Sequence, residues 1–266
     1  MRRSARAATG ALVLVIPACS RATRAAGPDV APAPVFATAA PRSGLEVVGR
    51  MRRAHPSREL KSLRFTVTTE FRDQPPRASQ SLAYALLPGR LRVEALPSTT
   101  RSGSVRDRQR MTVFRAGRRV ATARRVDLVS LLTFDVFAQN VDTTIMWLDS
   151  ARVRFGYTRR SAFNDREVWV VGAVDGDSTS AQFWVDADEW RVVRVIQRDP
   201  RQADRIVDVR YTDFTELLDV PVPTRVEVWR DGQLAEVQTM SDFTVNLALP
   251  RNAFDLRRWT SVNAGN

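Results

Sequence analysis

Three side chains that carry much enzyme chemistry are nearly absent from this chain of 266 residues. It has one cysteine, Cys19, one histidine, His55, and one lysine, Lys61. A single cysteine excludes an intrachain disulfide. With only one histidine beside it, most His/Cys metal cages and Cys–His nucleophilic dyads are excluded too. No Gly-x-x-x-x-Gly-Lys loop is present to cradle a phosphate, and no Gly-x-Ser-x-Gly surrounds Ser130, Ser161 or Ser241. Asp175, Asp177, Asp186 and Asp188 lie close together but lack the ligand ladder of an EF-hand, so they read as turn formers. His55 reads as a helix-end residue rather than a metal ligand. The expectation is a non-catalytic protein with no cofactor and no metal. A glycosidase-type carboxylate pair leaves no trace in spacing, because its separation is a property of the fold.

Arginine is what the chain has in excess. Net charge is +12, and all but one of the basic residues are arginine. Such a balance raises nucleic acid or an anionic membrane as partners. The arginines mostly alternate with apolar residues along strands, as at Arg152 and Arg154 or Arg191 and Arg194. That pattern fits a solvated outer face, and no nucleic-acid motif accompanies it.

The amino terminus resembles a secretory signal over residues 1–18. Arg2, Arg3 and Arg6 make a positive n-region, and residues 11–16 (Ala-Leu-Val-Leu-Val-Ile) an apolar h-region too short to span a bilayer. Ile16-Pro17-Ala18-Cys19 resembles a bacterial lipobox, with Pro17 outside its usual pattern. The resemblance implies cleavage before Cys19 and a diacylglycerol on its thiol. That would anchor the protein to a membrane, expected to be the outer membrane with the protein facing the periplasm. Ordinary cleavage near Ala18 or Ala25 would instead leave a soluble periplasmic protein. Residues 19–43, rich in Ala, Pro and Arg, read as a flexible tether.

Beyond the tether, strands dominate. Residues 45–54 carry Leu45, Val48 and Met51 at helical spacing, one short amphipathic helix stopped by Pro56. Alternating strands follow at 63–71, 79–87, 90–95, 108–114 and 118–124, with 97–107 read as a polar loop. The period then changes. Asp127 is a good N-cap ahead of Leu128, Leu131, Leu132 and Val136, and 141–148 reads as a second short helix. Strands resume at 152–161, 167–174, 179–186, 189–197, 204–214, 224–230 and 233–245. The strands at 167–197 are apolar on both faces, as happens when both sides of a sheet are covered. The reading is a mainly β fold: one strongly curved antiparallel sheet, an incomplete barrel, with short helices on its concave face.

Several segments, in this order, resemble the family of periplasmic lipoprotein carriers and outer-membrane lipoprotein receptors, the LolA/LolB-like proteins. They are Leu86-Leu87-Pro88-Gly89-Arg90-Leu91-Arg92-Val93-Glu94, Asp127-Leu128-Val129-Ser130-Leu131-Leu132, Val168-Trp169-Val170-Val171-Gly172-Ala173, and Phe183-Trp184-Val185-Asp186 with Trp190-Arg191-Val192-Val193-Arg194. Leu249-Pro250 before Phe254-Asp255 completes the set. The resemblance implies a half-barrel domain over residues 44–258, with 259–266 left as a tail. It also implies an apolar hollow that holds lipoprotein acyl chains without covalent chemistry. The expected partners are acyl chains or lipoproteins, with a role in lipoprotein sorting, for a protein acting as a monomer and without nucleic acid. The alternative is a sensor module that recognises a protein partner through the same face. Candidate lining residues are Leu131, Leu132, Val136 and Trp147 from the helices. From the strands and their approaches come Phe155, Trp169, Trp184 and Trp190.

Overall fold

The computed structural model describes residues 39–262 except 57, 73, 74, 200–204 and 261. The expected signal peptide, Cys19 and nearly all of the tether lie outside the described residues.

A first helix, α1 (Gly44–Ala54), is capped by Ser43, whose side chain accepts from the Glu46 N–H. It leads into β1 (Ser62–Phe71), β2 (Arg77–Leu86), β3 (Arg90–Ala95), β4 (Gly103–Asp107), β5 (Arg110–Arg115) and β6 (Arg118–Arg124). The chain then leaves the sheet. α2 (Leu128–Ser130), a wider-wound π turn (Leu131–Asp135) and α3 (Val136–Ala138) run on as one helical segment, 128–138, and α4 (Val141–Ser150) follows. Strands return as β7 (Thr158–Phe163), β8 (Arg166–Val171), β9 (Gln182–Asp186), β10 (Val192–Arg198) and β11 (Ile206–Tyr211). β12 (Phe214–Leu217), β13 (Val220–Pro223), β14 (Arg225–Arg230) and β15 (Gln233–Val245) complete the strands.

Thirteen of these strands make one antiparallel sheet in the order β6-β5-β4-β3-β2-β1-β15-β14-β11-β10-β9-β8-β7. β6 and β7 are its two ends and do not pair, so the sheet curves without closing. Register shifts interrupt four of its ladders, at Arg64/Thr66, Val113/Phe114, Val192/Arg194 and Val228/Trp229. An extra residue on one strand bends it and adds local twist, which is how a long meander acquires this curvature.

The concave face holds the main core. Val47, Val48 and Met51 of α1, Leu128, Leu131, Leu132 and Phe137 of the helical segment, and Leu148 of α4 all pack there. They meet Leu63, Phe65, Ala83, Ala85, Val171, Phe183 and Val195 from the sheet. Gly44 lets α1 come this close: a Cβ there would lie 2.4 Å from Val171 Cγ1. The convex face carries two smaller cores. Tyr84, Val105 and Phe114 lie under Ala253, Phe254 and Trp259 of the C-terminal segment. Val168, Val170 and Val193 pack with Trp184 and Phe163. The two-sided apolar reading of β8–β10 therefore has its physical cause on each face.

The structure departs from the sequence reading in several places. The expected loop 97–107 contains β4, which pairs with both β3 and β5. Val105 is its only large apolar residue, so neighbouring strands rather than periodicity decide its state. The expected strand 152–161 begins only at Thr158. The expected strand 179–186 begins only at Gln182, because Asp177 Oδ1 first holds the Thr179 and Ser180 N–H groups in a turn. The single strand expected at 204–214 is two, and β12 pairs with β13 in a separate ribbon. The boundary expected between 258 and 259 falls inside packed structure, since Trp259 is buried against Phe114.

Candidate binding groove

On the sheet's concave side, beside the start of the helical segment, an open groove of about 1000 Å³ remains. Its floor comes from strands β11 and β14. Alternation sends Val207 and Val209 inward while Asp208 and Arg210 face out; on β14 Val228 pairs with Val209, and Val226, paired with Tyr211, lines the groove as well. Met111 of β5 and Ala123 of β6 line it from the other arm of the sheet, and Val126 and Val129 line it at the helix start. The lining is apolar on its floor and charged along its rim. This lies within the size range of ligand pockets, which pair mostly apolar walls with a few placed polar groups.

The rim charges are largely paired with one another. Arg230 Nη2 lies 2.6 Å from Glu236 Oε1, and its Nε lies 3.7 Å from Asp199 Oδ2. Arg205 faces Asp231 at 3.6 Å. Arg106, almost wholly buried, reaches Asp127 Oδ2 at 3.8 Å and Asp135 Oδ2 at 3.5 Å. These contacts join the β3–β4 arm to the helical segment. Asp127 also caps that segment, accepting from the Val129 and Ser130 N–H groups and from Ser130 Oγ at 2.6 Å. Asp135 accepts the Gly89 N–H at 2.8 Å. Burial pushes the Asp135 carboxyl above the usual aspartate range, against the opposing pull of the Arg106 guanidinium and the Gly89 N–H.

A second hollow of about 480 Å³ lies on the far side of Arg106, between the Gly89 turn and α4. Trp147 lines it, and Met146, 50 % exposed, stands at its edge.

The expected lining residues scatter across these features. Leu131, Leu132 and Val136 are buried in the main core, so the space beneath the helical segment is filled by the protein itself. Leu131 also reaches the second hollow, beside Trp147. Phe155 packs under the start of α1, its carbonyl accepting the Gly44 N–H at 3.0 Å. Trp169 is buried on the concave face with the Arg160 guanidinium 5.0 Å from its ring. Trp190 packs against the main core with Arg50 over its ring at 5.2 Å. Trp184 lies on the opposite, convex face, between Phe163 at 5.6 Å and Arg194 at 4.4 Å. None of these eight lines the large groove. The residues that do are the alternating valines of β11 and β14. Their periodicity is plain in the sequence, but nothing there shows that the helices stop short of them.

His55 lies at the end of α1, its Nε2 2.8 Å from the Glu189 carbonyl and its ring edge-on to Phe137. Asp186 Oδ1 accepts the Asp188 and Glu189 N–H groups, a turn-forming role like that of Asp177. Among the described residues no group of three or more His, Cys, Asp or Glu side chains is placed to hold a metal ion. Nor is any helix among them long and apolar enough to cross a membrane.

An open, curved antiparallel sheet with helices packed into its concavity is the LolA-like fold. Solved proteins of similar architecture share little sequence with this chain. A domain from Vibrio parahaemolyticus, described as an outer membrane lipoprotein-sorting protein, superposes with a TM-score of 0.54 at 12 % identity. The match covers 80 % of this chain and 96 % of that one. A DUF1329 family protein from Desulfovibrio piger also gives 0.54 at 12 % identity, covering 80 % and 95 %. A LolA superfamily protein from Nitrosomonas europaea gives 0.49 at 15 %, covering 80 % and 97 %. By sequence, the chain matches no protein-family model and no curated protein.

Proposed function

We propose that the protein is a non-catalytic binding protein of the bacterial envelope that shelters acyl chains, or the acylated ends of lipoproteins, in the β11–β14 groove. One observation carries the reading: an open concavity of about 1000 Å³ whose floor is four valines. Hydrocarbon is the chemistry such a floor favours, at roughly 25 cal/mol per Å² removed from water. The fold supports the reading, although a fold alone does not fix a ligand. The lipobox-like Ile16-Pro17-Ala18-Cys19 supports action at a membrane, with the protein anchored to the outer membrane through Cys19 or soluble in the periplasm. A place in lipoprotein sorting follows from the same chemistry. Leu131, Leu132, Val136 and Trp147 would meet a ligand on displacement of the helical segment.

A fluorescent fatty acid displaced by palmitate measures the binding directly. The protein should bind it, and Val228→Trp, which fills the groove floor, should weaken binding at least about tenfold while the protein stays folded. No binding, or equal binding by the variant, sinks the reading. A second reading has one observation in its favour: arginines and carboxylates interleave along the rim, as suits a polypeptide. Capture of one partner protein, unaffected by palmitate, would favour that alternative sensor role.

A further inference from the structure

The exposed arginines fall into two sets. Across β7–β14 many meet carboxylates: Arg160 meets Glu167, Arg166 meets Asp186, Arg194 and Arg210 share Asp208. The β5–β6 hairpin is different. Between residues 101 and 124 the only acid is Asp107, and it lies 3.4 Å from Arg90. Arg101, Arg110, Arg115, Arg118, Arg119 and Arg124 are all exposed and have no ion pair among the described residues. The register sets like charges against each other, Arg110 opposite Arg124 and Arg115 opposite Arg118. Like charges directly opposite destabilise a ladder. Folding therefore gains nothing from this placement.

β6 is a free end of the sheet, and every residue in it is exposed. Charge on an edge strand also discourages pairing with another chain. The other free edge, β7, carries Arg159 and Arg160, yet each has a carboxylate, Asp175 at 3.0 Å and Glu167 at 2.9 Å. Edge protection thus needs no uncompensated charge, and the hairpin carries far more of it.

We propose that the free edge of the β5–β6 hairpin docks on the surface of an anionic phospholipid bilayer, its guanidinium groups meeting lipid phosphates. The guanidinium fork matches phosphate oxygens in pairs. The charges run the length of the hairpin, on both faces and at its tip. A plane laid along the edge meets them together. An acidic polypeptide would need a track between them or a free ladder, and edge arginines oppose the ladder. The hairpin also supplies Met111 and Ala123 to the groove, so docking brings the groove mouth to the membrane. The proposal does not depend on what the groove binds.

The test uses the chain cleaved of residues 1–18 and carrying Cys19→Ser, so that neither the signal segment nor an acyl anchor contributes, sedimented with phosphatidylcholine vesicles with or without about a third phosphatidylglycerol. Each arginine near such a surface contributes roughly fivefold to partition. The triple variant Arg110→Gln, Arg115→Gln, Arg118→Gln should therefore lose roughly a hundredfold of its binding to the anionic vesicles. The control Arg154→Gln, Arg257→Gln, Arg258→Gln removes the same charge elsewhere and should lose far less. The hairpin variant should be at least as stable as the wild type, since it removes opposed like charges. Equal losses in both variants would reduce the effect to net charge and overturn the proposal. So would equal binding to neutral vesicles. Binding to polyglutamate but not to vesicles would make the edge a polypeptide surface. Aggregation of the hairpin variant with its vesicle binding intact would make the arginines edge guards alone.

Discussion

Asp135 is a carboxylate held almost out of water, and its proton is tied to the helical segment. Burial raises its affinity for that proton in the fold above that in the unfolded chain. The resulting stability is fully present below the unfolded-state value and is lost as pH rises through the higher folded-state one. Asp135→Asn cannot titrate. Between about pH 7 and about pH 4 the wild type should therefore gain on the variant in urea-unfolding midpoint. A wild type that instead loses ground on acidification would show that the Arg106 attraction outweighs burial. Nothing at the level of one residue announced this. Asp135 draws no reading from the sequence, because only the Gly89 turn and Arg106, distant in the chain, make it a buried contact.

The helical segment was legible because its signals are local. Asp127 precedes Leu128, Leu131 and Leu132 at helical spacing, and it does cap the helix through the Val129 and Ser130 N–H groups. Asp127→Ala should cost about 1 kcal/mol and speed amide exchange across 128–138 more than in α1. Uniform exchange changes would show that the segment does not open as a unit. Elements that depend on distant partners were not legible. β4 is a strand because β3 and β5 flank it. β12 and β13 form a ribbon although Pro221 and Pro223 interrupt the apolar pattern, a placement that a two-stranded ribbon permits because each strand has a free side. Trp169 and Trp184, on the consecutive and directly paired strands β8 and β9, both read as cavity aromatics, but strand parity sends them to opposite faces. A one-residue error in parity is enough to invert such an assignment.

At the scale of the whole molecule, the sheet's convex side depends on a segment that the sequence reading left as a tail. Trp259 lies 5.4 Å from Phe114, and Arg92 stacks on it at 4.0 Å. Arg92 is fully buried and bonded to Glu94 Oε1 at 2.6 Å and to the Ala253 carbonyl at 2.7 Å. Trp259→Ala should cost about 3–5 kcal/mol, lowering Tm by roughly 10 °C. A calorimetric shift of only a degree or two would show that the outer face closes without it.

The order of strands has a mechanical result. The polypeptide leaves the sheet at β6, passes through the helices, and re-enters at β7. Those strands are the two lips of the open curve. The helices are thus a strap sewn to both lips, and the gape cannot widen far while the strap stays seated. Whatever pries the lips apart must tug Leu131 and Leu132 from their seats, so widening of the gape and release of the strap are one movement.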